Sequence, residues 1–203
     1  GLVFNQFWDN VNKLLTKCPR VNLTFMSTYN ALSVPNYDKL INGIYGLKRE
    51  YGSNDRYWNS AVFLDTSYLR YPTHQTIQIL PQDFSRNIFK QAQLADYLGV
   101  PLFDNKYIGY SDIEIQKLKR TYDWMISVKH DEKLLRNQYN FKKFVDEHDK
   151  RRGTDFLKTF PEFVYASAAR GIPAQANVIG SAMFFLALFI VIAGQLVSRR
   201  KAR

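Results

Sequence analysis

The polar residues best suited to chemistry in this 203-residue chain follow predicted strands. Asn30 comes shortly after the apolar segment 21–26, and Arg70 and His74 stand in the polar stretch 65–74 between two further apolar segments. An asparagine amide donates and accepts hydrogen bonds, so it can orient a ligand from both sides. A guanidinium is a planar fork that fits a carboxylate or a phosphate. We therefore predict Asn30, Arg70 and His74 as ligand-binding residues.

Two of these residues also have a structural interpretation. Asn30 would equally well form an Asx-type turn that caps the following helix. Arg70 would equally well pair with Asp65 on the protein surface. Polar residues on loops after strands are enriched in binding sites without being confined to them, so the sequence leaves both interpretations open.

Motifs for metal, nucleotide or nucleophilic chemistry are missing from the sequence. None of the three histidines, His74, His130 and His148, lies three or four residues from another, as metal ligands on one helix would. The single cysteine, Cys18, excludes an internal disulfide framework and a cysteine-based metal cluster, and it is typical of a reducing compartment. There is no GxGxxG, GxxxxGK[ST] or GxSxG motif. We therefore assign no metal ligand and no catalytic residue.

Apolar periodicity predicts alternating helices and strands over the first 80 residues. The predicted elements are a helix from Phe4 to Leu15, a strand at 21–26, a helix at 35–51, and strands at 60–64 and 76–80. This order is typical of parallel strands joined by crossover helices, which indicates an α/β fold.

Beyond Pro81 the pattern is helical. The predicted helices cover residues 84–98, 111–129 and 131–148. Ser111 and Glu114 have the spacing of a capping box at the start of the second of them. The net charge of +10 is distributed along these helices and the C-terminal end. No nucleic-acid-binding motif accompanies the charge, so we expect no nucleic acid partner.

The last 26 residues predict a membrane anchor. The run from Val178 to Val197 has 20 residues without Asp, Glu, Lys, Arg or His, about the length that crosses a bilayer core. Its apolar residues include Val178, Phe184, Phe185, Leu188, Ile190 and Val197. A basic flank follows, formed by Arg199, Arg200, Lys201 and Arg203. We therefore predict a linker at 164–177, a transmembrane helix at 178–197 and a basic tail at 198–203, with the lipid bilayer as partner.

The stretches FMSTYNALSVPNY, LRYPTHQTIQILP and EHDKRRGTDFLKTFPEF resemble the later part of radical S-adenosylmethionine proteins of the twitch-containing group. The resemblance covers residues 1–163. It implies that residues 1–83 form the second half of a (β/α) barrel-like parallel sheet and that residues 84–163 form a helical C-terminal extension. It also implies that Asn30 and the Arg70–His74 region form the late-strand wall of a cofactor pocket.

In that family a CxxxCxxC motif binds a [4Fe–4S] cluster, which cleaves S-adenosylmethionine to start radical chemistry. This chain has Cys18 alone, and it begins with Gly1 where a complete reading frame would have Met. We therefore expect a partial domain that is not catalytic as given. S-adenosylmethionine and [4Fe–4S] are implied by the resemblance only, and the residues themselves demonstrate no cofactor.

The end of the chain resembles a different family. Residues 163–203 are similar to the last transmembrane helix of ABC-type permeases of the spermidine/putrescine class, through the lead-in GIPAQANVIG and the basic terminus. The resemblances indicate a single-pass protein of the bacterial inner membrane. The basic flank places the C-terminus inside and residues 1–175 outside, whereas a cluster-dependent domain belongs in the reducing cytosol.

Three alternatives follow from this conflict. The chain is a tail-anchored protein with a cytosolic body, or a chimera of two reading frames joined near 160–164, or a membrane transport component. In the last case its soluble part is a binding module, with a protein partner left open.

Overall fold

The computed structural model describes the chain at residues 3–52, 61–99, 108–129 and 131–163. In this part of the chain the architecture is mixed α/β and mostly helical, around a two-stranded parallel sheet. The chain divides into two compact units, residues 1–156 and 157–203. The subdivisions expected at residues 83 and 163 stay predictions.

Strands β1 and β2 extend over Leu23–Tyr29 and Val62–Tyr68. The α-helices of the described residues are α1 (Phe4–Lys17), α2 (Tyr37–Tyr51), α3 (Ser85–Tyr97), α4 (Asp112–Ile126), α5 (Glu132–Arg152) and α6 (Phe156–Thr159). Single 3-10 turns cover Ala31–Ser33, Thr73–Gln75, Ile77–Ile79 and Gln82–Phe84.

The helices begin and end where local side-chain chemistry dictates. The capping box predicted at α4 is confirmed, because the Ser111 amide donates to a Glu114 carboxylate oxygen at 2.8 Å. At α5, the Asp131 carboxylate accepts from the Leu134 amide at 2.9 Å. Helix α1 ends at Lys17 with Cys18 as its C-terminal cap, as the following proline requires.

The two strands are parallel, and α2 is their crossover connection. Residue pairs run in register from Leu23 opposite Val62 to Tyr29 opposite Tyr68. This confirms the parallel arrangement that the helix–strand alternation predicts. Aromatic packing joins α1 to the sheet, since the Phe25 ring lies 5.8 Å from Trp8 between ring centroids.

Apolar side chains of the helices and of β2 form the core. Several of them have no exposed surface or about one percent, namely Ile41, Ile44, Leu64, Ile88 and Leu118. They come from α2, β2, α3 and α4, so these four elements share one core. Burial of this kind contributes roughly 1.5–3 kcal/mol per side chain.

A buried ion pair covers the edge of β2 that faces away from β1. Lys48 of α2 and Glu114 of α4 meet at 2.9 Å with side chains that are 1% exposed. The Lys48 ammonium donates to the Val62 carbonyl at 2.8 Å, and the Leu64 amide donates to the Glu114 carboxylate at 2.7 Å. These backbone groups point away from β1, because the Ala61 carbonyl faces β1 and accepts from its first residue. The ion pair therefore occupies the edge where a further strand would pair.

The strand predicted at 76–80 is wrong. These residues form part of 3-10 turns, in which the Leu80 amide donates to the Ile77 carbonyl at 3.1 Å. Ile77 and Ile79 are buried because the turn packs against α4 and α5, and Gln78 Nε2 donates to the Trp124 carbonyl at 2.8 Å. The segment therefore buries its apolar residues without a strand partner. Within the described residues the sheet keeps two strands and does not extend into the barrel-like sheet that the resemblance implies.

None of the helices in the described ranges is long and apolar enough to cross a bilayer. The predicted linker, transmembrane helix and basic tail at 164–203 lie outside the described residues.

The segment EHDKRRGTDF forms the C-terminal cap of α5. Gly153 has a φ of 62°, in the left-handed region that glycine adopts without strain, and its amide donates to the Asp149 carbonyl. The Asp149 carboxylate accepts from the Thr154 hydroxyl at 2.7 Å and from the Phe156 amide at 2.8 Å. These hydrogen bonds lower the pKa of Asp149 below its ordinary value, with the Thr154 hydroxyl as the main cause.

Substitution of Glu114 by alanine should destabilise the protein by about 3–5 kcal/mol, because it leaves the buried Lys48 charge uncompensated and the Leu64 amide without its acceptor. Urea unfolding of the full chain, followed by circular dichroism, measures the free energy of unfolding. The matched control is Glu50→Ala on the exposed face of α2, which should change it by less than about 0.5 kcal/mol. Equal effects of the two substitutions would contradict the role assigned to the ion pair.

Substitution of Asp149 by asparagine should lower the melting temperature at pH 7, and the difference should shrink as the pH falls below the ordinary aspartate pKa of about 3.9. A carboxyl group whose pKa is depressed in the folded state stabilises that state above its unfolded pKa, and the contribution is lost as the pH falls through the folded pKa. Thermal melts from pH 7 to pH 3 measure this difference. The exposed Asp123→Asn serves as control, and a pH-independent difference for Asp149→Asn would argue against the cap.

Candidate functional site

Asn30 caps a turn at the carboxyl end of β1. Its side-chain oxygen accepts from the Leu32 backbone amide at 2.9 Å, and the Asn30 backbone amide donates to the Ser33 hydroxyl at 3.2 Å. This reciprocal pair starts the 3-10 turn Ala31–Ser33. The side chain therefore has the structural role that the sequence left open as one of two alternatives.

Arg70 lies just beyond the carboxyl end of β2, against an aromatic pair. Its guanidinium carbon is 5.2 Å from the centre of the Tyr68 ring, and its Nη2 donates to the Tyr68 hydroxyl at 3.0 Å. The Tyr68 ring also stacks on Trp124 of α4, with centroids 5.2 Å apart and planes at 19°. Asp65, the alternative partner of Arg70, pairs with Lys117 instead.

A cavity of about 240 Å³ opens at this end of the sheet. Its walls come from the end of β2, from Arg70 just after that strand, and from α4. The lining residues are Thr66, Ser67, Tyr68, Arg70, Lys117 and Arg120. The α4 residues Lys117, Arg120 and Trp124 are spaced i, i+3 and i+7, so they share one face of the helix. The helix therefore presents two cations and an indole toward the strand end. This group of six lining residues is called the strand-end site below.

Thr66 links the strand-end site to buried hydrogen bonds between neutral side chains. The Tyr37 and Thr66 hydroxyls lie 2.8 Å apart, and Tyr29 donates to Gln91 Oε1 at 2.5 Å. Burial raises the pKa of both tyrosines. Both tyrosine hydroxyls therefore stay protonated at neutral pH.

A neighbouring cleft of about 440 Å³ shares Arg70 with the strand-end site. Its other walls come from the turns at 73–79, the end of α4 and the start of α5. Trp124 lines this cleft, and its Nε1 is buried with no hydrogen-bond acceptor among the described residues. The aromatic pair thus separates two concave surfaces on the same side of α4.

His74 lies apart from the other two predicted residues. It stands in the 3-10 turn Thr73–Gln75, and its ring centre is 5.7 Å from that of Phe144 on α5. It lines an open groove of about 510 Å³ with side chains from the second half of α5. The structure thus distributes Asn30, Arg70 and His74 over a turn cap, the strand-end site and this groove.

The residues present do not fit an iron–sulfur cluster. Cys18 is exposed at the end of α1, and the described residues contain no group of three or more His, Cys, Asp or Glu side chains able to hold a metal ion. A cluster of this kind is bound by several cysteine thiolates. No step of a mechanism can therefore be assigned to such a group in this chain.

Of the six lining residues of the strand-end site, sequence reasoning predicted only Arg70. The five missed residues are Thr66, Ser67, Tyr68, Lys117 and Arg120. The helical spacing of Lys117, Arg120 and Trp124 was a usable signal, but it did not reveal that this face meets the end of β2. That contact is a tertiary feature of α4.

Comparison with known proteins gives no assignment. No protein-family model, no curated protein sequence and no solved structure matches the chain.

Proposed function

We propose that this chain is a binding module that holds an anionic small molecule with a planar ring in the strand-end site. The observation that supports this most directly is the convergence of Arg70, Lys117 and Arg120 beside the stacked rings of Tyr68 and Trp124. The ligand class combines a phosphate or carboxylate group with an aromatic ring, as adenosine 5′-monophosphate does.

The charge balance favours an anion. The strand-end site contains three cationic side chains, and the Asp65 carboxylate compensates only Lys117. Arg70 is held in place by its contact with Tyr68, which leaves the remaining donors of its fork available. Arg120 is exposed at the rim. An anion at this position would face two guanidinium groups, whose planar donors suit carboxylate and phosphate.

The location and the aromatic pair favour a ring-bearing ligand. Ligands of open α/β sheets bind in the crevice outside the carboxyl ends of the strands, and the strand-end site lies there. A planar ring gains from stacking on aromatic side chains. The Tyr68–Trp124 pair adjoins the cations, so one small molecule can contact both.

The sequence resemblance supports a related proposal for the origin of this module. The chain is a partial radical S-adenosylmethionine-like domain, lacking its iron–sulfur cysteines and not catalytic as given. The place of Arg70 in the cofactor wall belongs to this proposal. S-adenosylmethionine is then a candidate ligand through its carboxylate and adenine ring, and its net positive charge should make it bind more weakly than adenosine 5′-monophosphate.

Adenosine 5′-monophosphate should bind to the full chain, and Arg70→Ala and Arg120→Ala should each weaken binding roughly tenfold, since a hydrogen bond to a charged group contributes about 1.5–3 kcal/mol. Isothermal titration calorimetry measures the dissociation constant. Adenosine tests the need for the anion, and S-adenosylmethionine tests the carboxylate ligand in parallel.

The matched control is Arg136→Ala, which removes an equal charge from the exposed surface of α5. This variant should bind like the unaltered chain. Equal losses in all three arginine variants, or equal binding of adenosine and its monophosphate, would contradict a specific anion site.

A second proposal concerns the membrane. The uncharged run Val178–Val197 and the basic residues after it support a single transmembrane helix that tethers the binding module to the bacterial inner membrane. The alternative function, a membrane transport component whose soluble part binds the ligand, rests on the same run and on the permease-like lead-in at 171–180.

Deletion of residues 178–203 should release the chain from bacterial membranes, because no other stretch of the sequence is as long and uncharged. Membrane fractionation with and without carbonate washing measures this. Deletion of the basic tail 198–203 alone is the matched control and should leave the chain in the membrane fraction. Retention of the longer deletion in that fraction would refute the anchor.

A further inference from the structure

The groove that contains His74 combines fixed positive charge with two histidines around one aromatic ring. The turn Thr73–Gln75 forms one wall and α5 the other. The lining residues are His74, Asn140, Lys143, Phe144, Glu147, His148, Arg151 and Arg152. This set is called the histidine groove below.

The aromatic ring brings the two histidines to the same surface. The Phe144 ring centre lies 5.7 Å from that of His74 and 6.4 Å from that of His148. Phe144 and His148 are one helical turn apart, so they lie on the same face of α5. The chain segments that carry the histidines are 74 residues apart in sequence, and the fold alone joins them.

The fixed charges of the histidine groove are mainly positive. Lys143, Arg151 and Arg152 face one carboxylate within the lining, that of Glu147, which is paired with Arg151 at 3.2 Å between Nε and Oε2. Lys143 and Arg152 are left without an ion-pair partner among the described residues. They are therefore the cations most available to an incoming anion.

We propose that the histidine groove binds a phosphate-bearing anion and that its affinity increases as the pH falls from 8 to 6. Lysine, arginine and carboxylate side chains keep their charge over this range, whereas histidine changes charge within it. Protonation of His74 and His148 would add two positive charges to the wall that Lys143 and Arg152 already make positive.

The other charged groups near the two histidines keep the same charge at pH 6 and at pH 8. His74 meets Phe144 and the α5 side chains Asn140, Lys143 and Glu147 across the groove. His148 Nδ1 lies 3.2 Å from the Thr154 hydroxyl and 3.8 Å from the Asp149 carboxylate, which stays ionised in this range. The carboxylates are charged at both pH values, so the change in charge between them comes from the imidazoles.

This site is independent of the function proposed for the strand-end site. The two cavities share no lining residue. Substitutions in one cavity can therefore weaken binding there without changing binding in the other cavity.

Sulfate is a suitable probe, because it is a dianion at both pH 6 and pH 8. Titration calorimetry of the full chain at low salt should give an affinity about tenfold higher at pH 6 than at pH 8, as expected for additional charges a few ångströms from the anion. The Lys143→Ala/Arg152→Ala double variant should lose binding at least tenfold. A matched double variant, Lys142→Ala/Lys150→Ala, removes the same charge from α5 outside the groove and should retain it.

The His74→Gln variant should show a smaller change of sulfate affinity with pH and an unchanged affinity at pH 8. Because residue 74 lies on a turn outside α5, this substitution leaves the helix unaltered. Glycerol 3-phosphate and soluble dihexanoyl phosphatidylglycerol, compared at pH 6, distinguish a free phosphate ester from a lipid headgroup. Equal losses in the two double variants would overturn the proposal, as would a sulfate affinity that does not change with pH in the unaltered chain.

Discussion

Lys48 and Glu114 form a buried ion pair at the point where α2, α4 and β2 meet. Removing two charges from water is costly, and only close pairing with further hydrogen bonds offsets that cost. The backbone of β2 supplies these bonds through the Val62 carbonyl and the Leu64 amide. Burial is the main influence on Lys48 and lowers its pKa, while the Glu114 carboxylate opposes that shift. The pair therefore fixes α2 and α4 against the edge of the strand.

The position of both proposed sites follows from this constraint. Helix α4 starts at the capping box of Ser111 and Glu114, so one carboxylate both begins the helix and joins it to β2. The face with Lys117, Arg120 and Trp124 is then placed at the carboxyl end of that strand. The turns at 73–79 follow, held by Gln78 on the Trp124 carbonyl and by Thr73 on Asn137 of α5. Through these contacts the turn with His74 lies along α5.

Local sequence patterns predict most of the helices and strands, but they do not predict which residues come together in the strand-end site. The positions of the helices, the capping box at Ser111 and the parallel arrangement of the first two strands are confirmed. The bounds differ, since β1 and β2 end at Tyr29 and Tyr68, beyond the predicted ends at residues 26 and 64. The strand predicted at 76–80 is wrong because short apolar runs fit buried turns as well as strands. Asn30, Arg70 and His74 were predicted as one wall, but their grouping depends on tertiary contacts such as those of Lys48 and Glu114. Nothing local marks that lysine as buried.

A crystal structure of the full chain with adenosine 5′-monophosphate tests the central claim most directly, because it locates the ligand without relying on substitutions. The account predicts the phosphate within hydrogen-bond distance of Arg70 and Arg120 and the adenine ring against the Tyr68–Trp124 pair. It also predicts that the Lys48–Glu114 pair keeps its contact with β2. A phosphate bound away from both arginines, or a further strand paired along β2 in place of the ion pair, would contradict it.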